Sequence, residues 1–198
     1  MFLRRKPSDK VINQFISSQQ DLPFSYEQVG ATKSQPRDLH GDYIVDHNRI
    51  MLGEGEETYR RAVAALRSWH QFDLGWVTVV PPGKPVEAGT TVAVLANVFG
   101  FWSLNAARIV YLIDGADSEK ARFGFAYGTL PDHIESGEER FTVEWCADDS
   151  VWYDLYAFSR PKHPLVRIGF PITRMLQKRF VRDSLAVMGA AVNKLATA

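Results

Sequence analysis

The chain has a single cysteine, Cys146, in 198 residues. An internal disulfide is therefore excluded, and with it the small secreted scaffold held together by cross-links. Net charge is missing as well: 23 Lys and Arg balance 23 Asp and Glu. A protein that coats nucleic acid carries a marked basic excess, so no nucleic-acid partner is expected. Long apolar runs are scarce. The longest weakly charged stretch, Thr90 to Ala107, contains Asn97, Gly100, Ser103 and Asn105, and its first half alternates. A membrane-spanning helix needs about 20 mostly apolar residues, so this stretch reads as strands. The N-terminal MFLRRKPSDK has basic residues but no apolar core behind them, and does not read as a secretory signal. A soluble, cytoplasmic protein is the expectation. Several signatures are lacking too. With no glycine-rich phosphate loop, no GxSxG, no HExxH and no paired CxxC, a nucleotide cradle, a hydrolase elbow and a zinc site have no support. No metal and no cofactor is expected; His40, Asp42, Asp46 and His47 read as polar loop residues.

What is present is an ordinary globular composition, 45% apolar and 23% charged. A chain of this length buries roughly 70% of its unfolded surface and needs no staple. Ser8 to Ser18 reads as a short helix, because Val11, Ile12, Phe15 and Ile16 share one face and Ser8 suits an N-cap. Asp21 to Asp42 reads as an irregular connection, and Asp42 to Met51 as a strand. Glu54 to His70 is a helix: Tyr59, Val63, Leu66 and His70 form its apolar stripe, and Glu56–Arg60 and Glu57–Arg61 are favourable i,i+4 pairs.

The period then changes from 3.6 to 2. Strands follow at Trp76–Val80, Thr91–Phe99, Trp102–Ile113, Arg122–Leu130, Arg140–Cys146 and Val151–Phe158, joined by short turns. Phe123, Phe125 and Tyr127 fall on one face, as do Phe141, Val143 and Trp145. Pro164 to Gly169 has room for a turn or two of helix, with a break expected at Gly169-Phe170-Pro171. From there Ile172, Leu176, Phe180 and Val187 mark a helix running to about Lys194. The order predicts an α+β fold of helix-grip type, with a curved antiparallel sheet of about seven strands wrapped on a long C-terminal helix. Residues 1–20 are expected as an N-terminal helical extension and 21–198 as one domain.

The blocks LGEGEETYRRAVAALRSWHQFDLGWV, VFGFWSLNAARIVYLID, RFGFAYGTLPDHIESGEERFTVEW and VWYDLYAFSRPKHPL, with FSYEQVGAT near the start, resemble the motifs of the DUF 1990 family. The resemblance spans roughly Asp21 to Ala190. It implies a relative of the Bet v 1 and START-like helix-grip proteins, in which sheet and terminal helix enclose a pocket. The family name carries no activity.

Candidate functional residues lie mostly on the meander. Tyr127 and Thr129 share the face of Phe123 and Phe125, where a phenol and a hydroxyl among aromatics can orient a ligand. His133, with a neutral-range pKa, and Glu138 are the candidate acid–base pair. Against that stands the reading of Asp132 to Glu139 as a solvated hairpin tip. Asn105 and Arg108 sit mid-strand between apolar residues; Arg108 must pair, snorkel or meet an anion. Phe125, Trp145 and Tyr153 complete the candidate ligand-binding set, within an aromatic supply that is mostly core. Cys146 reads as a buried small residue rather than a nucleophile.

The zero net charge hides a split. Asp114 to Asp154 holds 11 acids and 3 bases, whereas Arg160 to Arg182 holds 7 bases and no acid. Arg167, Arg174, Lys178 and Arg182 share a helix face. They read as complementary to the acidic strands, or, through Arg174, Lys178 and Arg182, as a weak contact for an anionic membrane. Three functions stay open: binding of a small hydrophobic or amphipathic molecule, an enzyme (cyclase, hydrolase or isomerase) using the same cavity, or a peripheral-membrane or protein-interaction module.

Overall fold

The structure, a computed structural model, describes residues 1–34, 42–115, 120–162 and 170–194. Its elements are β1 (Phe2–Leu3), α1 (Asp9–Gln19), β2 (Ile44–Glu54), α2 (Gly55–Arg67), β3 (Val77–Val80), β4 (Thr91–Val98), β5 (Phe101–Gly115), β6 (Ala121–Thr129), β7 (Glu135–Trp145), β8 (Ser150–Pro161) and α3 (Phe170–Lys194). The turns expected at 164–169, and His40 and Arg167, lie outside the described residues.

The sheet runs β2-β8-β7-β6-β5-β4-β3, every neighbour antiparallel. β1 extends it by pairing Phe2 with Ser103, on the stretch of β5 that lies beyond the Ala107–Thr129 end of β6. The helix-grip arrangement expected from the element order is the one observed. One difference matters. β7 starts at Glu135 rather than Arg140, because Glu135 to Glu139 pair with Pro161 to Ala157 of β8. The segment expected as a solvated tip is strand up to Glu135, and only residues 131–134 form the turn.

The two faces of the sheet bury different partners. On one face, Phe123, Phe125, Phe141, Val143, Tyr153 and Leu155 meet Leu66 of α2 and Met188 and Val192 of α3. Phe72 sits at the centre of this core, with ring centroids 5.4 Å from Phe141 and 5.3 Å from Phe180. On the other face, Ile12, Phe15 and Ile16 of α1 pack on Ala93, Leu95, Leu104 and Ala106. Burying such side chains contributes about 1.5–3 kcal/mol each, which fixes the first 20 residues to the sheet.

The segment from Phe24 to Lys33 crosses the same outer face. Its anchor is Glu138, whose carboxylate accepts from Tyr26 Oη (2.6 Å), Gly30 N (2.7 Å), Thr32 N (3.0 Å) and the Thr32 hydroxyl. Tyr26 lies flat on Gly128, where a Cβ would come within 2.1 Å of the phenol oxygen. Beside it, Arg140 is fully buried, bonded to Asp154 (2.7 Å) and to the Thr32 carbonyl (3.0 Å). Asp154 also meets His47 at 2.6 Å. The acids of the meander are thus taken up largely on the outer face and at its rim: Glu144 pairs with Arg49 and Arg122, and Asp149 with Lys120.

Candidate functional site

A strand's side chains alternate between faces. On β7, Phe141 points to the helices, so Glu139 and Glu135 do as well, whereas Glu138 and Arg140 point outward. This parity brings two carboxyls to the inner face, where the sheet and the first half of α3 do not close on each other. The gap is a cavity of about 640 Å³. Its walls are mainly apolar, from Val94, Ala96, Leu155, Leu176, Phe180 and Val181 among others. The volume falls in the ~300–1,000 Å³ range of small-molecule sites.

The polar part of the lining is concentrated on β7 and its neighbours. Tyr127 Oη donates to Glu139 Oε2 at 2.6 Å across the β6–β7 pair. This is the one side-chain hydrogen bond of Glu139 among the described residues, and the residue borders the cavity. Gln177 of α3 donates to Glu135 Oε1 (2.6 Å) and to Ser159 (3.2 Å). One turn earlier Arg174 grips Asp46 of β2 with two bonds of 2.7 and 2.9 Å and donates to the side-chain Oε1 of Gln177 at 2.6 Å. These contacts latch α3 to the β2-β8-β7 edge of the sheet.

Burial governs the protonation of these groups. It pushes Glu139 up to about 8, against the Tyr127 hydrogen bond and helped by the negative charges of Glu135 and Asp46. It pushes Glu135 up to about 6, opposed by Gln177, Ser159 and Arg174. Glu139 is therefore mostly a neutral acid at pH 7, and Glu135 mostly a carboxylate. The Tyr127 phenol is raised well above its ordinary value, first by burial and then by Glu139.

The residues singled out from the sequence distribute unevenly. Asn105, Tyr127, Thr129, His133 and Glu138 border the cavity. Thr129 Oγ1 is occupied by Ser25 Oγ (2.6 Å) and Gly137 N (3.0 Å). His133 Nδ1 accepts from Glu135 N at 3.0 Å, and burial lowers the ring to about 3, so it is neutral at physiological pH. The carboxylate of Glu138 is turned to the outer face, so His133 and Glu138 do not meet as a pair. Arg108 lies on the outer face too, with its guanidinium 4.9 Å from the Phe24 ring centroid and a bond to the Leu22 carbonyl. Phe125 is fully buried in the core. Tyr153 is also buried there and bonds Ser184 Oγ at 3.1 Å. Trp145 stacks on Tyr59 of α2 (6.0 Å) and bonds Asp149. It points inward as expected but sits at the far end of β7, away from the cavity. Asp46 and His47 face opposite sides of β2, and among the described residues no three His, Cys, Asp or Glu gather as a metal site. The two acids that matter, Glu135 and Glu139, were not among the candidates, although the alternation through Phe141 marks both.

Residues 25–187 match the family described as "Domain of unknown function (DUF1990)". The chain belongs to the DUF1990 family. Relatives in that group carry the name UPF0548 protein. One from Dictyostelium discoideum is 40% identical over 207 residues, covering 97% of this chain and 96% of that protein. One from Deinococcus radiodurans is 36% identical, covering 92% and 94%. In fold the chain is also similar to solved structures. A hypothetical protein from Helicobacter pylori superposes with a TM-score of 0.51 at 10% identity, covering 85% of this chain and 95% of that one. Ara h 8.0201 gives a TM-score of 0.45 at 12% identity, covering 76% and 99%. Identities this low speak to the fold alone. Among the described residues of this DUF1990 chain no helix is long and apolar enough to cross a membrane.

Proposed function

We propose that the protein binds a small hydrophobic or amphipathic molecule in the cavity between the sheet and α3. The observation that carries this is the cavity itself, an apolar chamber with one polar wall. A protein interior is normally packed to crystal density; here an apolar cleft of about 640 Å³, partly open to solvent, separates sheet and helix, and its walls lack protein contacts on that side. The small side chains of Ala96 and Ala157 line the gap and leave it room. A guest of matching shape recovers those contacts. Gentle purification followed by native mass spectrometry and solvent extraction tests the reading. The expected result is a substoichiometric or full complement of a small apolar compound. It should be absent from a Leu176→Trp variant, whose added ring occupies the chamber.

A second reading, of contact with an anionic membrane, is favoured by the surface beside the cavity. Phe99 is 76% exposed, Phe101 60%, Met175 53% and Ile172 52%. Phe99 and Met175 border one shallow groove with Lys178 and Arg182, and Phe101 and Ile172 border the cavity itself. Apolar side chains beside basic ones suit an interface with acidic lipids. Arg174 contributes least, being held by Asp46, and Arg182 is shared with Asp183. Co-sedimentation with phosphatidylserine vesicles, lost in Phe99→Ser/Phe101→Ser and weakened in moderate salt, supports this reading; no sedimentation at low salt removes it.

A further inference from the structure

We propose that the cavity selects an apolar molecule bearing a cationic amine, with Glu139 and Glu135 receiving its N–H groups. The inference rests on the reading of the cavity as a ligand site and names the chemistry of the guest.

Two independent features point this way. The first is the sign of the lining. Asp46, Glu135 and Glu139 border the chamber, and no Lys or Arg does so among the described residues. Arg174 is near, but it and Asp46 neutralise one another, which leaves Glu135 and Glu139 as the inward-facing acids of the lining without a paired base among the described residues. A ligand carboxylate or phosphate entering here meets like charge with no cation to receive it. The second is a stranded acceptor. Asn105 is 4% exposed and borders the same cavity from β5. Its Nδ2 donates to the Val94 carbonyl (3.3 Å) and Ser103 Oγ (3.1 Å). The Val94 carbonyl can only accept, which fixes the amide orientation and leaves Oδ1 as the unpaired atom. Buried acceptors without donors are costly and rare. With the Glu135 and Glu139 carboxyls on the same lining, the polar part of the cavity is rich in acceptors, which suits a donor-bearing guest. An ammonium offers three donors and a positive charge; a carboxylate offers none.

Proton bookkeeping follows from the geometry. Around Glu139 stand Tyr127 on β6, Glu135 on its own strand, Asp46 on β2 and Tyr153 on β8; Gln177 of α3, bonded to Arg174, and neutral His133 share the cavity lining. An ammonium beside it favours the carboxylate. The guest N–H then hydrogen-bonds the anion, and the displaced Glu139 proton leaves to solvent. Because unoccupied Glu139 titrates near 8, amine affinity rises with pH up to that region and then levels off. Proton release is about one per guest at pH 7 and falls toward zero at pH 9.

The test is calorimetric titration of the full chain with three probes sharing one ring system: 2-(1-naphthyl)ethylamine, 2-(1-naphthyl)ethanol and 1-naphthylacetate. The expected order at pH 7 is amine tighter than alcohol by about tenfold or more, in keeping with a charge-assisted hydrogen bond, with the carboxylate weakest. Glu139→Gln, and separately Glu135→Gln, should weaken the amine about tenfold while leaving the alcohol within about threefold. Enthalpies in phosphate and Tris buffers should differ by the release of about one proton at pH 7. If the alcohol or the carboxylate binds as well as the amine, or neither Gln variant affects the amine, the inference falls and the cavity reading stands. If none of the three binds, and no apolar compound copurifies, both fall.

Discussion

Replacing Glu139 with Gln should stabilise the empty protein at alkaline pH. Gln keeps the shape and the acceptor for Tyr127 but cannot ionise. In the wild type the folded carboxyl titrates near 8, against an ordinary value of 4.5. A carboxyl raised on folding holds its proton more tightly in the native state. The unfolded chain therefore binds fewer protons between these values, and stability falls as pH rises through the window. The full span is 8 − 4.5 = 3.5 units, or about 5 kcal/mol at ~1.4 kcal/mol per unit. Between pH 5 and pH 8.5 most of that span is crossed, and water entering the cavity to solvate the anion reduces it to about 2–4 kcal/mol. At about 2–4 °C per kcal/mol for a chain of this size, the melting temperature of Glu139→Gln relative to wild type should climb by roughly 4–16 °C over that range. Differential scanning calorimetry on both proteins from pH 5 to pH 8.5 measures it. Glu135 titrates in both and largely cancels. Parallel curves, with a constant difference between the proteins, would refute the placement of Glu139 as a desolvated acid.

Three further substitutions probe the scaffold. Arg140→Met takes the buried guanidinium from the Asp154 carboxylate and leaves it His47 as a side-chain partner; chemical denaturation should show a loss of about 3–5 kcal/mol, much of it recovered when Asp154 is also made apolar. Gly137→Ala would put a Cβ 1.9 Å from the Phe158 carbonyl oxygen, forcing β7 from β8; a loss of about 1–3 kcal/mol or more is expected by the same assay. Phe72→Ala removes a ring that is 1% exposed and should cost about 3–5 kcal/mol, read as a lowered urea midpoint.

Much of the fold was legible because its signals are local. A switch from a 3.6-residue to a 2-residue period, bounded by turns, marks each strand of the meander without reference to anything distant. The site was legible only in part. The run Glu135-Ser-Gly-Glu-Glu has the composition of a turn, and only its pairing with Ala157 to Pro161 of β8 and with Tyr127 and Gly128 of β6 makes it a strand. Once that is known, parity through Phe141 sends Glu139 inward and Glu138 outward, so the acid expected to pair with His133 is on the other face. Parity also places Arg108 with the outer face, opposite Ala107 and Ile109. Position along a strand has no such signal, which is why Trp145, inward but at the α2 end, is remote from the cavity. The charge split was a third case. The bases of α3 find Asp46 and Asp183 rather than the meander. The acids of the meander are largely met by Arg49, Arg122, Arg140 and Lys120, and Glu135 and Glu139 are left to the cavity.

The most direct measurement of the central claim is a titration with Nile red, an uncharged apolar fluorophore, on wild type, Leu176→Trp and Arg49→Ala. Leu176 borders the cavity, whereas Arg49 sits on the outer face against Trp152 and Glu144. Saturable binding of about one dye per chain is expected, weakened about tenfold or more by filling the chamber and unchanged by the outer-face control. No saturable binding to wild type, or equal binding to wild type and Leu176→Trp, would contradict a ligand site between the sheet and α3.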